Sequence, residues 1–191
     1  MTFSLILATS NLGKIREFQS FLDGWEILPK PPEIDIQETG KTFQANAQLK
    51  ALGVAKETGK WALGEDSGLE VFSLDGQPGI YSARWGKSDE DRIKRLLDKM
   101  GQIKSRQARF VSSIVLASPT EILCQVEGVC EGEILTEPRG SGGFGYDPIF
   151  YYPPLGLTMA EMTLEQKQEI SHRGKALRAL LPKLTELTQS I

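Results

Sequence analysis

The apolar run Leu5 to Ala8 is too short for a helix and predicts a buried strand. The period then changes. Ile15, Phe18, Phe21 and Leu22 share one face of a predicted helix over Leu12 to Leu22, which Ser10 or Asn11 is placed to cap. Trp25 to Leu28 predicts a second strand, stopped by Pro29, Pro31 and Pro32. Thr42 to Thr58 carries an Ala-rich helical face and ends at Gly59. Trp61 to Leu63 and Leu69 to Phe72 read as strands around a polar elbow at Glu65-Asp66-Ser67-Gly68, and Asp75 to Gly79 as a turn. Ser88 to Met100 predicts a helix capped by Ser88, with Asp89, Glu90 and Asp91 at its positive end and Gly101 closing it. Ala108 to Ala117 and Ile122 to Ile134 predict a β-hairpin about Ser118-Pro119-Thr120. Ile149 to Tyr152 reads as strand. A last helix runs from about Leu164, broken near Ser171, with an apolar stripe of Leu177, Leu180, Leu181, Leu184 and Leu187.

Helices alternating with strands early and a hairpin late predict an α/β fold with a mixed sheet. At 191 residues the chain suits one domain, 1–191, with two lobes around a cleft. A net charge of -3 gives no general grip on nucleic acid or anionic lipid, so any anion must meet a local positive cluster. No run of about 18 apolar residues suggests a membrane span. The opening MTFSLILATSNLGK has no basic stretch before its short apolar one, so no secretory leader is expected. Cys124 and Cys130 lie in a strand-like stretch without a second ligand pair. They read as free thiols rather than a zinc site, which suits a reducing cytoplasm.

Gly140, Gly142 and Gly145 formally satisfy a dinucleotide fingerprint, but prolines and a strand follow where that fold needs a helix, so the reading fails. Other polar groups gather at element ends. Thr9, Ser10, Asn11 and Lys14 sit where a strand gives way to a helix N-terminus, either a plain cap or an anion site. Glu65 and Asp66, with Glu38 upstream, offer hard oxygens of the kind Mg²⁺ or Mn²⁺ takes along with substrate phosphates; the alternative is an acidic turn. The run Gly142 to Phe150 joins glycines to three aromatics. Helix-end donors, lysines, carboxylates and an aromatic glycine loop are what a nucleoside triphosphate needs: neutralisation, a metal and a stacking face.

The ordered segments LATSNLGKIREF, ETGKTFQANAQLKA, GEDSGLEV, PGIYSARWG, GGFGYDPIF and KQEISHRGKAL closely resemble the inosine triphosphate pyrophosphatase family, from about Leu5 to Leu177. The resemblance implies a long mixed sheet with a nucleotide cleft between two lobes, a homodimer, and a house-cleaning role. The implied reaction is Mg²⁺-dependent hydrolysis of ITP, dITP and XTP to the monophosphate and pyrophosphate. It further implies that Thr9, Ser10, Asn11, Leu12, Gly13 and Lys14 meet the phosphates and that Asp66 is general base and metal ligand. On the same resemblance, Glu38 is the expected second metal ligand, with Glu65 as the alternative. It likewise implies that Ser67 touches substrate, that Phe144, Gly145, Tyr146 and Asp147 form the base loop, and that Lys167, His172 and Arg173 complete the nucleotide contacts. Which aromatic stacks stays open. The rival readings are a nucleotide sensor without turnover and a pyrophosphatase of modified pyrimidine or methylated nucleotides.

Overall fold

The computed structural model describes residues 4–189; the expected domain limits, and the first residues of the opening stretch, lie outside them. Along the chain run β1 (Ser4–Leu7), α1 (Leu12–Phe21), β2 (Glu26–Pro29), α2 (Phe43–Thr58), β3 (Ala62–Val71), α3 (Asp89–Met100), β4 (Gln107–Ala117), β5 (Ile122–Ile134), β6 (Phe150–Tyr152), β7 (Leu157–Thr158), α4 (Leu164–Ile170) and α5 (His172–Gln189). The strands form one seven-stranded mixed sheet in the order β2-β1-β3-β4-β5-β6-β7. β1 is parallel to β2 and β3, whereas β6 is antiparallel to β5 and β7.

Local chemistry sets most boundaries. Asn11, Thr42 and Ser88 each accept a backbone N–H from three residues on, capping α1, α2 and α3. Gly59 closes α2 at φ 67°, where a side chain would be strained. Thr163 and Gln166 form a reciprocal capping box on α4, and the chain extends at Ser171 before α5 begins, the expected break.

The chain forms two compact units. The first comprises the described residues up to Asp66, Ser112–Gly128, and those from His172 onward; the second comprises Ser67–Val111 and Val129–Ser171. In the first unit the strands are apolar on both faces. Leu5 and Leu7 of β1 and Ile114 and Leu116 of β4 pack with Phe18, Leu177 and Leu180. Their alternates Ile6, Ala8, Val115 and Ala117 pack with Ala47, Ala51 and Val54 of α2. The second unit has its own core around Leu96, Phe110, Ile134 and Phe150.

One expectation is corrected. The segment Glu65-Asp66-Ser67-Gly68 is no elbow: it lies mid-strand in β3, which runs unbroken from Ala62 to Val71. Glu65 and Asp66 are both buried, and groups from distant segments compensate them.

Candidate active site

Glycine and alanine let α2 lie on β3. A Cβ at Gly64 would stand 2.1 Å from the Ala47 carbonyl oxygen and 2.6 Å from the Ala51 nitrogen. The bare strand therefore touches helix backbone, and the polar residues of that helical face, Asn46 and Lys50, reach the next outward residue of β3 on the same side. Asn46 Nδ2 donates to Asp66 Oδ2 at 3.0 Å. Lys50 Nζ lies 3.3 Å from Asp66 Oδ1 and 2.8 Å from Glu38 Oε1. Two carboxylates from separate segments thus converge on one positive charge. Sequence reasoning singles out neither Asn46 nor Lys50. The available signal was an Asn and a Lys four apart on an otherwise alanine face.

Because side chains alternate along a strand, Glu65 points away from Asp66, on the side of Leu63. There its Oε1 accepts from Arg173 Nε at 2.8 Å and from Ser112 Oγ at 2.8 Å. Lys14 Nζ lies 3.0 Å from Oε2 and forms an ion pair with it. Arg173 also pairs through Nη1 with Glu17 on α1. α5 is brought close by a second glycine: a Cβ at Gly128 would meet the His172 carbonyl oxygen at 2.0 Å.

Burial drives the titration of these groups apart. It would raise the Glu65 pKa, but the Arg173 guanidinium and then the Lys14 ammonium overcome it and hold Glu65 well below the usual carboxylate range. Asp66 moves the other way: burial raises it and the Lys50 charge only partly offsets that. Lys14 is lowered, by burial first, then against the pull of Glu65 by the neighbouring Arg173 and Lys50 charges. The three cations Lys14, Lys50 and Arg173 meet four carboxylates, Glu17, Glu38, Glu65 and Asp66, one more than they match. Glu38 and Asp66 are hard oxygen donors suited to Mg²⁺ or Mn²⁺. Among the described residues no three His, Cys, Asp or Glu converge, so a metal held there would draw its remaining ligands from phosphate and water.

The loop before α1 carries the other first-unit residues. Thr9 Oγ1 accepts from Asn11 N at 3.1 Å, and Asn11 Oδ1 accepts from Lys14 N at 3.1 Å, so the turn is braced by its own side chains. Ser10 and Leu12 are exposed, and Gly13 is half-buried. His172 is buried at the start of α5.

The second unit holds Ser67, half-buried in β3, and the glycine loop. Asp147 Oδ2 accepts from Phe144 N at 2.9 Å and from Lys167 Nζ at 2.7 Å. A Cβ at Gly143, where φ is 71°, would lie 2.0 Å from that same oxygen, so only glycine fits the turn. Lys167 Nζ stands 4.9 Å from the centre of the Phe144 ring. Tyr146 is 4% exposed, and its hydroxyl donates to the Ser82 carbonyl at 3.0 Å. Phe150 is wholly buried. Of the three aromatics, Phe144 alone is left half-exposed.

The seven-stranded sheet and its buried acid–base cluster define a mixed α/β protein with a carboxylate–lysine site. The chain belongs to the Ham1 family, whose model matches residues 5–183. It is 56% identical, over all of its length and 98% of the relative's, to a protein of Nostoc sp. described as a dITP/XTP pyrophosphatase. Among solved structures it is similar to a HAM1 protein from Coxiella burnetii, with TM-score 0.88 and 41% identity over 97% of this chain and 100% of that one. The Staphylococcus aureus Ham1 protein gives TM-score 0.86 and 43% identity over 96% and 98%.

Proposed function

We infer that this chain is a dITP/XTP pyrophosphatase, cutting non-standard purine nucleoside triphosphates (dITP, XTP, ITP) to the monophosphate and pyrophosphate and so removing them from the nucleotide pool. The observation that carries this reading is the convergence of Glu38 and Asp66 on Lys50, which supports a two-carboxylate cation site beside buried positive charge. Membership of a family whose relatives carry that activity supports the substrate class.

In the reaction, water attacks the α-phosphorus, the bond from that phosphorus to the α–β bridging oxygen breaks, and pyrophosphate leaves. Asp66 takes the proton of the attacking water. Bound at Glu38 and Asp66, Mg²⁺ (or Mn²⁺) would supply Lewis-acid neutralisation of the phosphates. Lys50 and Lys14 neutralise phosphate oxygens, and the turn Thr9 to Gly13, braced by its own side chains, brings the positive end of α1 to them. Glu65, held by Arg173 and Ser112, keeps Lys14 in place. The occupation of Glu65 by these partners supports Glu38 as the second metal ligand.

The base falls to the glycine loop. Phe144 is the stacking face, because Tyr146 and Phe150 are committed to the core. Gly145, Asp147, Lys167, Ser67 and His172 line the same reading as nucleotide contacts, and Arg173 enters it through Glu65. We read residues 1–191 as a single nucleotide-hydrolysing domain and place the protein in the cytoplasm as a homodimer. Among the described residues no helix is long and apolar enough to cross a membrane.

A panel of triphosphates (dITP, ITP, XTP, GTP, ATP and modified pyrimidine and methylated nucleotides) tests this. Monophosphate and pyrophosphate should form one to one from the first three. Binding without pyrophosphate release would make the protein a sensor, and preference for the modified pyrimidines or methylated nucleotides would change the substrate class.

A further inference from the structure

Asp89, the first residue of α3, reads from sequence only as one of three acids at a helix N-terminus. In the structure both of its carboxylate oxygens are engaged. Oδ1 accepts from Arg92 Nη1 at 2.5 Å, three residues along the same helix. Oδ2 accepts from the backbone N–H of Gly145 at 2.7 Å, across 56 residues of sequence. The helix does not need Asp89 as its cap, since Ser88 Oγ already accepts from Asp91 N.

Gly145 sits at φ 63°, and a Cβ there would touch nothing within 4 Å. Glycine is needed at this point for the direction of the backbone, not for space. Each neighbour has its own tie: Phe144 N to Asp147, Tyr146 Oη to the Ser82 carbonyl, and Asp147 to Lys167. Asp89 supplies the tie at Gly145, the residue that follows Phe144 and sets the exit of its backbone. A charged acceptor on a backbone N–H is among the stronger hydrogen bonds available to a partly exposed loop.

We propose that Asp89 is a positioning residue for base recognition: by fixing Gly145 through the Oδ2 contact, with Arg92 fixing the carboxylate, it sets the plane that Phe144 offers to a purine. This rests on the reading of the Phe144 loop as the base site.

The test compares dITP with ribose 5-triphosphate, which carries the phosphates without a base, on wild type, Asp89→Ala, Asp89→Asn, Phe144→Ala and Glu90→Gln, with a thermal melt on each. Asp89→Ala should lower kcat/KM for dITP by about tenfold, the loss of one charge-assisted hydrogen bond, and leave ribose 5-triphosphate unchanged. Asp89→Asn keeps an acceptor oxygen for Gly145 and should show a smaller loss, again confined to dITP. Should Asp89→Ala fail to fold, that variant decides the matter. Glu90→Gln, which removes an exposed charge from the same helical turn, should match wild type. Equal slowing of both substrates by the Asp89 variants, or no slowing, overturns the assignment. If Phe144→Ala narrows the gap between the substrates and the Asp89 variants do not, Asp89 alone is wrongly assigned. If wild type does not distinguish the substrates, or Phe144→Ala leaves the gap intact, the base-loop reading fails and the inference falls with it.

Discussion

Arg173 Nε donates to Glu65 Oε1 at 2.8 Å, with both side chains almost wholly withdrawn from solvent. Glu17 closes the other side of the guanidinium, and Ser112 and Lys14 close the carboxylate. A buried pair of this kind is costly to break from one side, because the abandoned charge stays behind.

Arg173→Ala should therefore destabilise the fold by about 3–5 kcal/mol, measured by chemical denaturation, whereas Arg16→Ala on the exposed face of α1 should shift stability by no more than about 0.5 kcal/mol. Turnover of ITP, XTP, GTP and ATP should fall together. A selective loss for ITP at unchanged stability would instead make Arg173 a direct reader of the base.

Glu65 links that pair to pH. Its folded pKa lies below its unfolded value, so the stability it contributes is full above about pH 4.5 and is lost as pH falls from there towards the depressed folded value. In EDTA, wild type should lose stability across that acid window. Glu65→Gln should be less stable at neutral pH and show a flatter profile there. Parallel profiles would mean that Glu65 is not held ionised by Arg173 and Lys14.

The carboxylates around Lys50 separate by role. Asp66→Asn should cost at least about 10²-fold in kcat, the lower end for loss of a general base. Glu38→Gln should raise the Mg²⁺ concentration needed for half activity, and Glu65→Gln should not. A raised requirement in Glu65→Gln and none in Glu38→Gln would exchange their assignments.

Lys50→Met removes a cation that pairs with both Glu38 and Asp66. Calorimetry should find tighter Mg²⁺ binding in the absence of nucleotide, since two carboxylates are left facing each other. Turnover should nevertheless fall, because the charge that meets phosphate is gone. Unchanged kcat would confine Lys50 to a structural ion pair.

Gly64→Ala tests the contact that assembles the cluster. Its Cβ would meet helix backbone at 2.1 Å, which cannot rotate away. We expect destabilisation of about 1–3 kcal/mol or more and a loss of activity larger than that from Gly24→Ala, where φ is 90° and strains a side chain but no atom lies within 4 Å of the added Cβ. Near-wild-type activity in Gly64→Ala would mean that α2 can retreat without disturbing Asn46 and Lys50.

Most elements and their ends, though not the unbroken β3 or the short β7, were legible in the sequence because their causes are local. Asn11, Ser88, Gly59 and the break at Ser171 act within one turn of chain, and the apolar periods of β1, α1 and α5 need no distant partner to be recognised. The motif residues Lys14, Glu38, Asp66 and Phe144 were equally visible as residue types. Partners were not. Two adjacent acids in a polar run look like a turn, and only tertiary packing turns them into a strand, by supplying Lys50 from 16 residues away for one and Arg173 from 108 residues away for the other. Strand alternation then sends Glu65 and Asp66 to opposite faces and gives them different work. Burial makes each charge depend on a partner that sequence distance does not predict, so the roles within the cluster, and the tie from Asp89 to Gly145, were decided by the fold alone.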